Sequence, residues 1–279
     1  MPRSIATPLS RSRLLTLAIA AAVLLMVGPA WAAEEIKIAG TGNALGTMRL
    51  VADAFVKQNP DIKVTVLPSV GTSGAIKGVP RGAIDIGLSS RPLTEEERLA
   101  GAVSLEYART PLVFAVSTKT QVSAMTVDQI ADMYSGKTPS WADGRPVRLI
   151  MRQPGDSTTA HLMRMYPALD KAFRAAEARP GLSFATTDQE AADKLESIAG
   201  ALGTTTLALI TSESRALRPL TLNGVEPTLQ NLASGKYSDA APFFLIVRKP
   251  QSPEVQRFIA FVQSGAGRDI LTRAGNWVP

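Results

Sequence analysis

The 279-residue sequence has no cysteine and a single histidine, His161. The first absence removes disulfides, a thiol nucleophile, thiolate metal sites and the acylated cysteine of a lipoprotein. Together the two remove cysteine–histidine catalysis and zinc clusters that need several such ligands. His161 falls in a helical stretch and reads as a structural residue. No G-x-S-x-G elbow offers a serine nucleophile, so the sequence marks no catalytic residue, no metal site and no cofactor. Lysine and arginine form no run and do not interleave with aromatics, which argues against nucleic acid as a partner. Internal repeats and low-complexity tracts are missing as well.

One long apolar run is present, Leu14 to Val27. It is too short to span a bilayer, which takes about 20 residues. Arg3, Arg11 and Arg13 precede it, and Pro29-Ala30-Trp31-Ala32-Ala33 follows with the small-x-small spacing of a cleavage site. This is the pattern of a secretory signal peptide over residues 1–32, leaving an exported chain that begins at Ala33 or Glu34. Without those three arginines, 27 basic residues stand against 24 acidic ones, and the formal charge falls from +6 to +3. The remaining length is enough for one large or two smaller domains.

What the exported chain does contain is strands alternating with helices, which indicates α/β layers. Lys63 to Pro92 is the most informative stretch. Val64 and Val66, then Ile84, Ile86 and Leu88, alternate with other residues as strand positions do. Between them, Val70-Gly71-Thr72-Ser73-Gly74 forms a glycine-rich turn ahead of a helix. The second strand ends in Ser89-Ser90-Arg91-Pro92. Ligands of open α/β sheets bind beyond the carboxyl ends of strands, so this stretch suggests a small anion held by N–H and O–H groups.

Two more turns repeat the pattern. Gly40 to Gly46 follows a strand at Ile36–Ala39, with Thr47 as a plausible N-cap and Met48, Val51, Ala52 and Phe55 on one helical face. Arg152-Gln153-Pro154-Gly155-Asp156-Ser157-Thr158-Thr159 follows a strand at Val147–Met151 and leads into a helix. Thr126–Tyr134 and Asp188–Ser197 read as helices, Pro111–Ser117, Thr206–Ile210 and Phe243–Val247 as buried strands. Pro253 opens a last long helix with Val255, Phe258, Ile259 and Val262 on one face. Three turns that couple glycine with hydroxyls could together surround a compact oxyanion, with Arg152 as its counter-charge and Arg91 as a second candidate.

Several stretches, in order along nearly the whole exported chain, resemble the periplasmic solute-binding proteins of phosphate-type ABC importers. They are GTGNALGTMRLVADAF, PSVGTSGAIKGVPRGAIDIGLSSRPL, DQIADMYSGKTPSWADGRPVRLIMRQPGDSTT, GVEPTLQNLASGKY and EVQRFIAFVQSGAGRDILTRAGNWVP. The resemblance implies a two-lobed α/β fold of the periplasmic-binding-protein kind, type II-like, with two hinge crossings near Ser117 and Asp239 and a ligand cleft between the lobes. Residues 34–116 plus 241–279 would form one lobe and 117–240 the other. It further implies ligand contacts at Asn43, Ala44 and Thr72, with Ser73 beside them, and at Arg152. Ser90 stands where the family has an acidic residue, and Asp156, Ser157 and Thr158 stand where it has serine, glycine and threonine.

The implied function is capture of a small oxyanion, phosphate first, by a periplasmic monomer that docks on a membrane permease. A ligand-sensing subunit, another oxyanion (phosphonate, sulfate, molybdate or tungstate) and a secreted phosphoester hydrolase remain as alternatives. Asp156 has two readings. It caps the helix that starts at Ser157, or it accepts the proton of hydrogen phosphate in place of the carboxylate missing at Ser90.

Overall fold

The computed structural model of the protein describes residues 34–182 and 184–279. The expected signal peptide, 1–32, lies outside the described residues. Among the described residues, no helix is long and apolar enough to cross a membrane.

The first units follow the sequence pattern. Strand β1 (Glu34–Gly40), helix α1 (Gly42–Gln58) and strand β2 (Ile62–Val66) lead to helix α2 (Gly71–Gly78) and strand β3 (Ile86–Ser89). β1 and β3 are parallel, with Ile38 opposite Ile86 and Gly40 opposite Leu88. The α1 face of Met48, Val51, Ala52 and Phe55 is buried, as its spacing requires. α1 begins at Gly42 after Thr41, five residues ahead of Thr47, the cap expected from the sequence. The glycine-rich segment is helical because other elements satisfy its first turn, as described below.

Helix α3 (Glu95–Leu99) opens with a capping box between Thr94 and Glu97 and leads into β4 (Ala102–Ser117). Then come β5 (Ala124–Met125), α4 (Val127–Ser135), β6 (Arg148–Arg152), α5 (Ser157–Met165) and α6 (Pro167–Glu177). These are followed by β7 (Phe184–Ala185), α7 (Asp188–Ser197), β8 (Ala201–Thr206), α8 (Leu207–Ser212), β9 (Leu217–Pro219) and β10 (Thr221–Leu222). The chain closes with α9 (Leu229–Ala233), β11 (Ala240–Arg248), α10 (Pro253–Gln263) and α11 (Gly265–Arg273). The expected strand at Thr206–Ile210 is a correction. The strand is β8, and the Thr206 side chain accepts from Leu209 N to start α8, so the apolar Leu207–Ile210 run is helical, with Ala208, Leu209 and Ile210 buried.

One sheet runs in the order β2-β1-β3-β11-β4-β8-β6-β7, with β9 also on β4. The long β4 joins its two halves. Ala102–Pro111 pairs antiparallel with β11, Leu112–Ala115 with β8 and Ala115–Ser117 with β9. The change of partner falls where Pro111 has no N–H to give a ladder. There Leu112 N donates to Asp239 O at 2.9 Å, and Leu112 O accepts from Tyr237 Oη at 2.7 Å. The two passages of the chain between the halves, at Pro111–Leu112 and Asp239–Ala240, therefore lie side by side. Phe55 packs edge-on against Phe258 at 5.1 Å in one half, and Tyr134 against Phe173 at 4.5 Å in the other.

Candidate functional site

The three glycine- and hydroxyl-bearing turns come together. Thr41 from the first, Gly71, Thr72 and Ser73 from the second, and Gly155, Asp156 and Ser157 from the third line one cleft of 480 Å³. Two of these segments are the first turns of α2 and α5, where unpaired backbone N–H groups and the helix dipole favour negative charge. Arg91 and Arg152 line the cleft too, and so does Thr186-Thr187-Asp188, a segment that none of the sequence motifs includes.

Arg152 ends β6 and is 7% exposed. A cation so buried needs partners, and it has three. Nη1 donates to Ala185 O at 2.9 Å. Nη2 donates to Asp156 Oδ2 at 3.4 Å. Nε lies 3.3 Å from Asp188 Oδ1, an ion pair without the angle of a hydrogen bond. Asp156 is the N-cap of α5: its Oδ1 accepts from Thr159 N at 2.9 Å and from Thr159 Oγ1 at 3.1 Å. Both oxygens of Asp156 are thus engaged within its own turn.

Asp188 is the larger surprise. It opens α7 after the cap Thr187, and its carboxylate reaches across to α1. Oδ2 accepts from Asn43 N at 3.1 Å and from Thr41 Oγ1 at 3.4 Å. Beside it, Gln189 Nε2 donates to Gly42 O at 2.9 Å. These contacts hold the first turn of α1 and explain why the helix starts at Gly42. Burial pushes the Asp188 carboxyl above the usual aspartate range; Arg152 opposes the shift and the Asp156 charge adds to it.

A hydroxyl chain closes the other side. Thr72 Oγ1 lies 3.0 Å from Ser90 Oγ and accepts from Ser90 N at 3.1 Å. Ser90 Oγ lies 2.6 Å from Ser157 Oγ. Among the other expected residues, Ser73 lines the cleft. Asn43 is buried, and its Oδ1 accepts from Thr206 Oγ1 at 3.1 Å. The Ala44 N–H is spent on Thr41 O at 3.2 Å within the helix start. Arg91 sits at the rim and is paired through both Nη atoms with Glu97 at 2.8 and 2.7 Å. That pair holds the Glu97 carboxyl down at about 2, first through the Arg91 hydrogen bonds.

Thr158 is buried but faces a second cavity of 560 Å³, lined by Ser90 and sharing Arg91, Gly155 and Ser157 with the first. Leu112, Ala240, Ala241 and Phe244 give that cavity an apolar floor; of its three arginines, Arg91 and Arg109 pair with Glu97 and Glu106, and Arg164 is the third. His161 lines it half-buried, its pKa lowered by burial and then by Arg164. Polar donors converge in the smaller cleft, which is therefore the candidate ligand site. Among the described residues, no group of three or more histidine, aspartate or glutamate side chains is placed to hold a metal.

The fold is that of a two-lobed periplasmic binding protein. The PBP superfamily domain matches residues 27–266, and the chain belongs to that family. The Phosphate-binding protein PstS of Borreliella burgdorferi is 26% identical over 230 residues, covering 79% of this chain and 81% of the relative. Protein SphX of Synechococcus elongatus is 27% identical over 266 residues, covering 86% and 76%. A phosphate-bound chain from Clostridium perfringens, assigned to phosphate ABC transport, superposes with a TM-score of 0.76 at 23% identity, covering 88% of this chain and 100% of that one. The molybdate-binding protein of Azotobacter vinelandii gives 0.61 at 19% identity, covering 88% and 99%. The structural likenesses establish the fold, which carries both anions.

Proposed function

We propose that this protein is an extracytoplasmic solute-binding protein that captures phosphate in the 480 Å³ cleft and presents it to the permease of an ABC importer. The observation that carries the reading is Arg152, a buried cation at the back of a cleft rimmed by hydroxyls and by the first turns of two helices. A guanidinium with a face turned to such a cleft offers charge-assisted bonds to a tetrahedral oxyanion. The phosphate in the names of relatives such as the Phosphate-binding proteins PstS of Borreliella burgdorferi and Bacillus subtilis supports phosphate over other oxyanions. Thr72, Ser73, Ser90 and Ser157 add neutral donors, and Asp156 fixes the α5 turn that presents Ser157. Arg91, tied to Glu97, contributes charge from the rim. The protein acts without covalent chemistry, as a monomer.

The proposed lobes are 34–116 plus 241–279 and 117–240. The hinge, expected near Ser117 and Asp239, is assigned to the adjacent passages at Pro111–Leu112 and Asp239–Ala240, where β4 changes partners, so that Leu112–Val116 go with the second lobe. Export by the 1–32 signal peptide places the protein in the periplasm. A thermal-shift screen of phosphate, phosphonates, sulfate, molybdate and tungstate tests the ligand. Phosphate is expected to raise Tm most, because a ligand that binds only the folded state stabilises it by mass action. A larger shift with sulfate or molybdate and none with phosphate would reassign the site.

A further inference from the structure

Resting on the phosphate reading, a count of charges around Arg152 leads one step further. Arg152 on β6 faces Asp156 at the start of α5 and Asp188 at the start of α7. From α1 the groups facing Asp188 are neutral, Thr41 and Asn43. On its own helix Gln189 is neutral, and Glu190 turns to Thr186 and Lys194. Glu213, at the end of α8, reaches Gln189 and is paired with Arg215. One cation and two carboxylates thus give this buried cluster a net charge of one negative unit.

The same two carboxylates hold donors that an oxyanion would need. Asp188 Oδ2 has the Asn43 N–H and the Thr41 hydroxyl, and Asp188 Oδ1 lies against Arg152 Nε. Asp188 is an aspartate 8% exposed, so water does little to screen it. An arriving dianion must share these donors with a carboxylate already on them. Two anions in one dry donor set cannot both stay fully ionised.

We propose that Asp188 makes ligand capture proton-linked: hydrogen phosphate enters the cleft together with one proton from solvent, which is held between Asp188 and the ligand. No bond is made or broken apart from that protonation, and the charge balance is one proton taken up for each dianion bound. Burial already raises the Asp188 carboxyl, so it is the group in the cleft most ready to accept the proton. Asp156 instead keeps its Oδ1 on the first turn of its own helix, through Thr159 N and Oγ1.

The test is calorimetric titration of the full processed chain with inorganic phosphate at about pH 8, where free phosphate is mainly dianionic, in two buffers of different ionisation enthalpy. The enthalpy difference reads the proton count. Wild type is expected to take up about one proton per phosphate and to lose affinity about tenfold per pH unit above that point. Asp188→Asn is expected to bring uptake close to zero and to flatten the pH dependence. Asp188→Ala serves the same purpose if the asparagine variant does not fold. Binding without uptake in wild type, or equal uptake in a folded Asp188 variant, overturns the proton linkage and leaves phosphate capture standing. Absence of any heat with phosphate from about pH 5 to about pH 9 removes the phosphate reading, and the linkage with it.

Discussion

At the scale of single residues, the cleft is governed by how Arg152 and its two carboxylates divide their bonds. Asp156 faces its own turn, capping α5 through Thr159 N and Oγ1. Its capping reading is therefore the one the geometry displays, while the carboxylate that spans the cleft is Asp188. Loss of an N-cap costs about 1 kcal/mol, and asparagine caps about as well as aspartate. Asp156→Ala is accordingly expected to lower the unfolding free energy read from urea denaturation by that much, and Asp156→Asn to retain most of the stability. Equal losses in the two variants would mean that the ion pair with Arg152, rather than the cap, is what Asp156 contributes. The sequence offered Asp188 no special status. It sits at the first position of a helix, where an acid is ordinary, 36 positions beyond Arg152, and only the packing of α7 against the start of α1 buries it. The one signal available was Thr186-Thr187 ahead of it, a hydroxyl-rich turn before a helix like the other three but without the glycine.

At the scale of elements, periodicity carried most of the fold. The α10 face of Val255, Phe258, Ile259 and Val262 is buried as spaced, and α7 spans the expected Asp188–Ser197. What failed was local competition. Leu207–Ile210 is apolar throughout, so its length cannot separate a strand from a helix, and the Thr206 cap decided for the helix. The first half of β4 escaped because its ladder with β11 comes from more than a hundred residues away. Gly40 shows how closely these elements meet at the cleft. A Cβ built there would lie 2.0 Å from Leu88 O on the neighbouring β3, and Thr41 N donates to that same carbonyl at 2.9 Å. Overpacking of this kind costs about 1–3 kcal/mol. Gly40→Ala should lower the denaturation midpoint accordingly, and an unshifted midpoint would mean that β1 and β3 can separate freely.

At the scale of the whole molecule, one sheet is shared by two halves, and two chain passages meet beside Leu112 and Asp239. Asp188 to Asn43 and Ser90 to Ser157 bridge the halves across the cleft. A ligand held there touches both halves at once, which is how hinge closure in binding proteins is driven. Everything in that account turns on Arg152 as the charge that meets the ligand. The most direct measurement is a calorimetric titration of phosphate into wild type and Arg152→Ala side by side, with circular dichroism to confirm that the variant is folded. One site per chain is expected in wild type, and a loss of at least about 2 kcal/mol, roughly thirtyfold in Kd, in the variant. Equal phosphate affinity in the two proteins, or no binding by wild type, would contradict it.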